Sequence, residues 1–344
     1  MGQVAVIGTT AWGTTLGIML SRKGLSVRLW ARSEEEAEGL NRDRENARQC
    51  PGFRFPEGLG ATASLDEALG EAELIILAVP SQYMRHHAGL VRDHLDGSKR
   101  VLSVAKGLEL ESAKRMSEVI PEEIDRRFHH NICVLSGPNL AEEIVRGLPA
   151  AAVVAARDAS VAVEVQRMMA SQAFRIYVNT DVVGVELGGV LKNIIALAAG
   201  MIDGLGYGNN TKAGLITRGL AEITRLGVSA GANPLTFAGL AGLGDLVATC
   251  ASPLSRNRFV GQELARGRSL EEIQTSMMGI AEGVTTTVAA LKLAAENRVE
   301  MPITQQVYRV LYERLDVRQG ITELMERELK HEFADISGDA FERQ

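Results

Sequence analysis

The stretch QVAVIGTTAWGTTLGIMLSRKGLSVRLW, residues 3–30, leaves few folds open to this chain. Gln3 to Ile7 reads as a short apolar strand ended by Gly8. A helix opens in the next few residues and runs to about Lys23, and Ser26 to Trp30 reads as a second strand. Two strands joined by a tight turn and a helix form a βαβ unit, which commits the chain to a parallel sheet covered on both faces. In such a unit the helix N-terminus points at a phosphate site, and glycines let the backbone approach it. Gly8 and Gly13 hold the first and third glycine positions of G-x-G-x-x-G, with Thr10 at the second. A side chain there crowds the phosphates, so the hydroxyl binds a phosphate oxygen, the cofactor shifts outward, or binding weakens. The second strand ends in Ala31-Arg32-Ser33. An acidic residue at that point would favour NAD through its ribose 2′-hydroxyl. Arg32 suits a 2′-phosphate, so NADP is expected ahead of NAD.

The rest of the first half continues the pattern. Glu73 to Val79 is too continuously apolar for a half-exposed sheet and reads as a central parallel strand. Arg100 to Val104 is another strand, followed by Lys106. Ile132 to Leu135 is a further one, ending in Ser136-Gly137-Pro138-Asn139. Ligands of open α/β sheets bind at this carboxyl edge. Ala150 to Ala156 and Phe174 to Val178 are the last strands. Residues 51–58 read as a Pro/Gly-rich loop, and Ser64 as the cap of a short helix. After Asp181 only helices are expected, over 182–203, 211–226, 256–265, 269–275, 282–297 and 303–314. The fold class is therefore α/β: a Rossmann-like, mostly parallel sheet domain over 1–181, then an all-helical domain over 182–330, with a frayed tail at 331–344.

One cation stands out. Lys192 lies in the apolar helical run ELGGVLKNIIALAAG, residues 186–200. A buried ammonium needs a partner, and a lysine in that setting can exchange a proton with a substrate oxygen; the alternative is a side chain that snorkels to the surface. Asp245 sits in a glycine-rich turn beside an apolar run. Ser255-Arg256-Asn257 offers a hydroxyl, a guanidinium fork and an amide, which suit a phosphate monoester; the plainer alternative is a helix cap followed by surface residues. Net charge is −6, so no global basic footprint for nucleic acid is present, and an anionic substrate needs a local cluster. Cys50, Cys133 and Cys250 lie far apart without metal-ligand spacing, so free thiols and no metal are expected. His86 and His87 are adjacent and so do not share a helix face. With no signal peptide and no apolar run approaching a membrane span, a cytoplasmic protein is expected.

Taken together, VAKGLE at 104–109, SGPNLAEEI at 136–144, GVELGGVLKNIIALAAGMIDGLGYGNNTKAGLITRGLAE at 184–222, AGLGDLVATC at 241–250, SRNR at 255–258, AEGVTT at 281–286 and MPITQQVY at 301–308 resemble the bacterial-type NAD(P)-dependent glycerol-3-phosphate dehydrogenases. The resemblance implies reduction of dihydroxyacetone phosphate to sn-glycerol 3-phosphate for phospholipid synthesis, in a homodimer. It implies Lys192 as proton donor or acceptor, and Lys106, Gly137, Asn139, Asp245, Ser255, Arg256 and Asn257 on the substrate side. Gly8, Thr10, Ala11, Trp12, Gly13, Arg32, Lys106, Ala141, Arg256, Ile280 and Glu282 would meet the cofactor. The family usually has Gly at the position of Thr10, Ser at that of Ala11, and Ser or Thr at that of Asn139. Two other readings stay open: a hydroxy-acid dehydrogenase of the same architecture, and a cofactor-binding regulatory homologue whose turnover Thr10 has weakened.

Overall fold

The computed structural model describes residues 2–277, 279–329 and 332; apart from Glu332, the expected frayed tail lies outside the described residues. The chain divides into two compact units, Met1–Glu109 with Lys114–Glu186, and Leu110–Ala113 with Leu187–Gln344.

The first unit is built on a single sheet of eight strands in the order β3-β2-β1-β4-β5-β6-β7-β8. These are β1 (Gln3–Ile7), β2 (Ser26–Trp30), β3 (Leu59–Thr62), β4 (Ala72–Leu77), β5 (Arg100–Ser103), β6 (Ile132–Ser136), β7 (Ala150–Ala156) and β8 (Phe174–Asn179). Side chains alternate across a strand, and here both faces are covered. Val4, Val6, Leu74 and Ile76 join one apolar layer, while Ala5, Ile7, Ile75 and Leu77 join the other. All eight of these residues are fully buried, which is why β1 and β4 read as unbroken apolar runs. The chain moves outward from β1 to β3 and then returns to place β4 on the other side of β1, so the carboxyl ends of β1 and β4 mark the topological switch point.

The sequence reading missed one strand of this sheet and left the direction of another open. β3 was hidden within the loop region: Gly60 weakens its signal, and it pairs only with β2. β7 runs antiparallel to β6, with Val134 opposite Ala155, while the other neighbouring pairs are parallel.

Among the described residues, no strand follows Asp181. The helix Val182–Gly204 is long and apolar enough by length and composition to cross a bilayer, contrary to the sequence expectation. Its most apolar 18-residue window is 89% buried inside the protein, as a core helix is. Pro234–Ala251 passes the same test at 44% buried. Within that second stretch Asp245 was expected in a glycine-rich turn beside an apolar run. The stretch forms a short helix (Pro234–Phe237), a π-helical turn (Leu240–Gly244) and a helix (Asp245–Ala251). A helix at Val317–Met325 also escaped the sequence reading.

The core helix crosses the helix Arg256–Ala265 main chain to main chain. A Cβ on Gly200 would lie 1.9 Å from the Arg258 carbonyl oxygen, and one on Gly261 would lie 1.9 Å from that of Leu197. Nearby, the buried Glu222 carboxylate accepts the Ile303 and Thr304 N–H groups at 2.8 and 2.9 Å, capping the helix Pro302–Tyr312. Gly261→Ala should lower the stability of the folded protein by about 3 kcal/mol or more, because backbone cannot yield as a side chain does. Gly214, with open space around its Cβ position on the helix Asn209–Ser229, is the contrast: Gly214→Ala should raise stability by about 1 kcal/mol. Thermal unfolding of the two variants checks both signs.

Candidate active site

At the end of β1, Gly8 has φ +110°, and a Cβ there would lie 2.9 Å from the Ala78 carbonyl oxygen. A Cβ on Gly13 would lie 2.4 Å from the Gly8 carbonyl oxygen. Both glycines are therefore required by the turn itself. Thr10 is the N-cap of the helix Ala11–Arg22. Its hydroxyl accepts the Gly13 N–H at 3.1 Å and donates to the Ala78 carbonyl at 2.8 Å. The side chain at the second glycine position is thus drawn into the turn and onto the end of β4. Asn46 holds the same loop from behind, donating to the Thr9 carbonyl and the Thr14 hydroxyl, both at 2.9 Å. Ala11 and Trp12 follow, half-buried, and Trp12 packs against the core. Ala141 lies beside this helix, its carbonyl accepting from the Thr15 hydroxyl at 3.4 Å.

Beyond β2, the Arg32 side chain is 78% exposed, as a solvated cation would be, and it has a neighbour the sequence reading did not assign. Glu36 folds back from the helix Glu34–Asp43. One carboxylate oxygen accepts the Thr9 hydroxyl at 2.6 Å. The other accepts the Arg32 N–H at 3.2 Å and lies 3.8 Å from its guanidinium Nε.

Further along the same edge, Lys106 donates to the Gly137 carbonyl at 2.8 Å. The Lys106 loop is fastened by Arg85, whose guanidinium grips both Glu109 carboxylate oxygens at 2.8 and 2.9 Å, and by Gln82, which donates to the Leu108 carbonyl at 2.7 Å. Both amide atoms of Asn139 are buried without a hydrogen-bond partner, as are the hydroxyls of Ser103 and Ser136 at the ends of β5 and β6. Open α/β sheets bind their ligands at this carboxyl edge. The His86 and His87 rings lie with centroids 5.2 Å apart, and the His87 ring packs edge-on to Trp30 at the end of β2.

In the helical unit Lys192 is 6% exposed, so it does not snorkel. Its ammonium lies 2.8 Å from Asp245 Oδ1 and donates to the Thr249 hydroxyl at 2.6 Å. Thr249 in turn donates to Asp245, to the backbone oxygen at 2.7 Å and to Oδ1 at 3.1 Å. Asp245 is 1% exposed and opens its helix directly after the π-helical turn, a distortion common at functional sites. Beside Lys192, the Asn193 side chain accepts from the Asn257 amide at 2.9 Å, and the Asn257 oxygen accepts the Gly283 N–H at 3.0 Å. Asn257 therefore ties three helices together. Ser255 caps its helix by accepting the Arg258 N–H at 3.2 Å, as the plainer alternative anticipated. Arg256 is exposed, and its guanidinium lies where a Cβ on Gly279 would be, 2.5 Å away, in the turn that leads to Ile280 and Glu282.

A sheet edge with a glycine turn and a buried lysine–aspartate pair in a helical unit invite comparison with known proteins. The family description "NAD-dependent glycerol-3-phosphate dehydrogenase N-terminus" matches residues 3–162, and its C-terminus counterpart matches residues 181–322. The chain belongs to the NAD-dependent glycerol-3-phosphate dehydrogenase family. It is 53% identical over 342 residues to the glycerol-3-phosphate dehydrogenase [NAD(P)+] of Dehalococcoides mccartyi, covering 99% of this chain and 95% of that one. It is 49% identical to the enzyme of the same name from Moorella thermoacetica, covering 98% and 99%. Among solved structures, glycerol-3-phosphate dehydrogenase of Coxiella burnetii aligns with a TM-score of 0.89 at 37% identity, covering 95% of this chain and 99% of that one.

Two residues of this chain went unassigned from sequence. Thr249 had a usable signal: it stands four residues after Asp245, which on a helix is the same face. Glu36 had none, because its role depends on a side chain reaching back to a loop 27 positions earlier. Replacing Thr10 by the family's usual glycine should change NADH binding by less than about threefold, since the hydroxyl is turned into the protein, and should cost only roughly a few tenths of a kcal/mol of stability through the lost cap. Titration of nicotinamide fluorescence and a thermal melt of Thr10→Gly test the pair.

Proposed function

We propose that the chain catalyses the reversible NAD(P)H-dependent reduction of dihydroxyacetone phosphate to sn-glycerol 3-phosphate, in the cytoplasm, as a homodimer feeding phospholipid synthesis. The observation that carries this reading is the buried Lys192–Asp245–Thr249 group. The sheet unit is assigned to the cofactor. The Gly8 and Gly13 positions, which a Cβ would fill, and the N-terminus of the helix Ala11–Arg22 fit a pyrophosphate. Gly8, Thr10, Ala11, Trp12, Gly13, Arg32 and Ala141 would line that site; Arg256, Ile280 and Glu282, in the helical unit, are assigned to the cofactor by the family resemblance alone. When bound, the nicotinamide supplies the hydride.

The helical unit is assigned to proton transfer. As the substrate C2 carbon gains hydride, its oxygen gains negative charge. The Lys192 ammonium stabilises that charge and gives up a proton to it. Asp245 and Thr249 hold the ammonium in place, and Asp245 keeps its charge compensated in a dry setting. Asn257 acts through Asn193 and Gly283, fixing the helix that carries Lys192. Ser255 and Arg256 would face the phosphate, Arg256 as the exposed cation. In the sheet unit, Lys106, held on the Gly137 carbonyl, and Asn139 are assigned to the substrate by the family resemblance alone. A carboxylate substrate would not require the Ser255–Arg256 pair, which ranks the hydroxy-acid reading lower.

Lys192→Ala should reduce turnover by at least about 10³-fold while NADH affinity stays within a few-fold of wild type. Steady-state NAD(P)H oxidation with dihydroxyacetone phosphate, unphosphorylated dihydroxyacetone and small 2-keto acids decides the substrate. Faster turnover of a keto acid, or an unchanged rate in Lys192→Ala, would sink the assignment.

A further inference from the structure

We infer that Glu36 is the residue that discriminates between the two nicotinamide cofactors, and that it sets this chain to favour NADH over NADPH. The inference rests on the proposed dinucleotide site and sharpens it. In a βαβ unit the adenosine ribose lies at the carboxyl end of the second strand, and the group found there reads the 2′ position. Sequence alone puts Arg32 at that point, which suits a phosphate. The fold adds a carboxylate. Glu36 is bound on one side to the loop after β1, through Thr9 at 2.6 Å, and on the other to the residue after β2, through the Arg32 N–H at 3.2 Å. It therefore sits across the mouth of the first βαβ turn, between the two strand ends that flank the ribose position.

Its chemistry fits a diol. An ionised carboxylate offers about four lone-pair sites on two oxygens, and these two contacts use one site on each oxygen. The remaining ones can accept from ribose hydroxyls. The same group opposes a 2′-phosphate. A phosphate bound there would meet the Glu36 charge at close range, with Glu34 and Glu35 in the same helical turn. Arg32 offsets part of this, but its Nε is already drawn to within 3.8 Å of Glu36, so its charge is shared before any phosphate arrives. The Glu36 side chain is 29% exposed and doubly anchored, so moving it aside means breaking both contacts.

The test is a pair of dissociation constants, for NADH and NADPH, measured on the intact protein by nicotinamide fluorescence. Wild type should bind NADH at least about tenfold more tightly, a like-charge penalty of the usual size. Glu36→Gln should move the ratio of the two constants toward NADPH by at least about tenfold, since the charge goes and the shape stays. Arg32→Ala should weaken NADPH more than NADH. Should Glu36→Gln fold poorly, competition on the wild-type protein serves instead: ADP-ribose should displace NADH at lower concentration than its 2′-phosphorylated form. A wild-type preference for NADPH, or an unmoved ratio in Glu36→Gln, overturns the inference while leaving the proposed reaction standing. Failure of both cofactors to bind overturns the dinucleotide site itself.

Discussion

The helical unit is organised around one charge taken out of water. Lys192 is almost fully buried, and an isolated ammonium in that position would be strongly unfavourable. Asp245 and Thr249 compensate it, and each is placed by a specific distortion or spacing: Asp245 by the π-helical turn before it, Thr249 by standing one helical turn further on. The arrangement holds net charge near zero in a dry site while leaving a proton available on nitrogen. This is the condition that lets a side chain assist a carbonyl reduction and still fold without penalty beyond what the pair can offset.

In the sheet unit the corresponding constraint is geometric. Gly8 and Gly13 are fixed by contacts to the Ala78 and Gly8 carbonyl oxygens, and Thr10 turns the usual liability of a side chain at the middle glycine position into a cap. The loop is tied to Asn46 as well. A dinucleotide therefore meets a turn whose hydrogen bonds are already formed, so little ordering remains to be done on binding. The departure from the glycine pattern is thus compatible with a working site.

Much of this was legible in the sequence, for identifiable reasons. β1 and β4 announce themselves because Val4–Ile7 and Leu74–Leu77, covered on both faces, carry no polar position to interrupt them. Lys192 was legible because a lone cation in such a run demands an explanation. The direction of β7 was not, since alternation of side chains is the same whichever way a strand runs. The helices between Pro234 and Ala251 were masked by glycines that normally signal turns and here serve a π-helical turn. Arg32 was read as a partner for a 2′-phosphate at the end of β2, but its neighbour Glu36 is set by side-chain direction, which spacing alone does not encode. The hydrogen bonds of Asn257 to Asn193 and Gly283 are a pairing no local pattern reveals.

The close crossing at Gly200 and Gly261 has a further consequence for the lysine two turns earlier on the same helix. Where side chains separate two helices, a shift of an ångström is absorbed by a change of rotamer. Where peptide groups abut, there is no such adjustable layer. The core helix is indexed against its neighbour like a shaft seated on a shoulder, free neither to slide nor to turn. The ammonium's height along the helix axis is thus set by two missing methyl groups, well away from the chemistry.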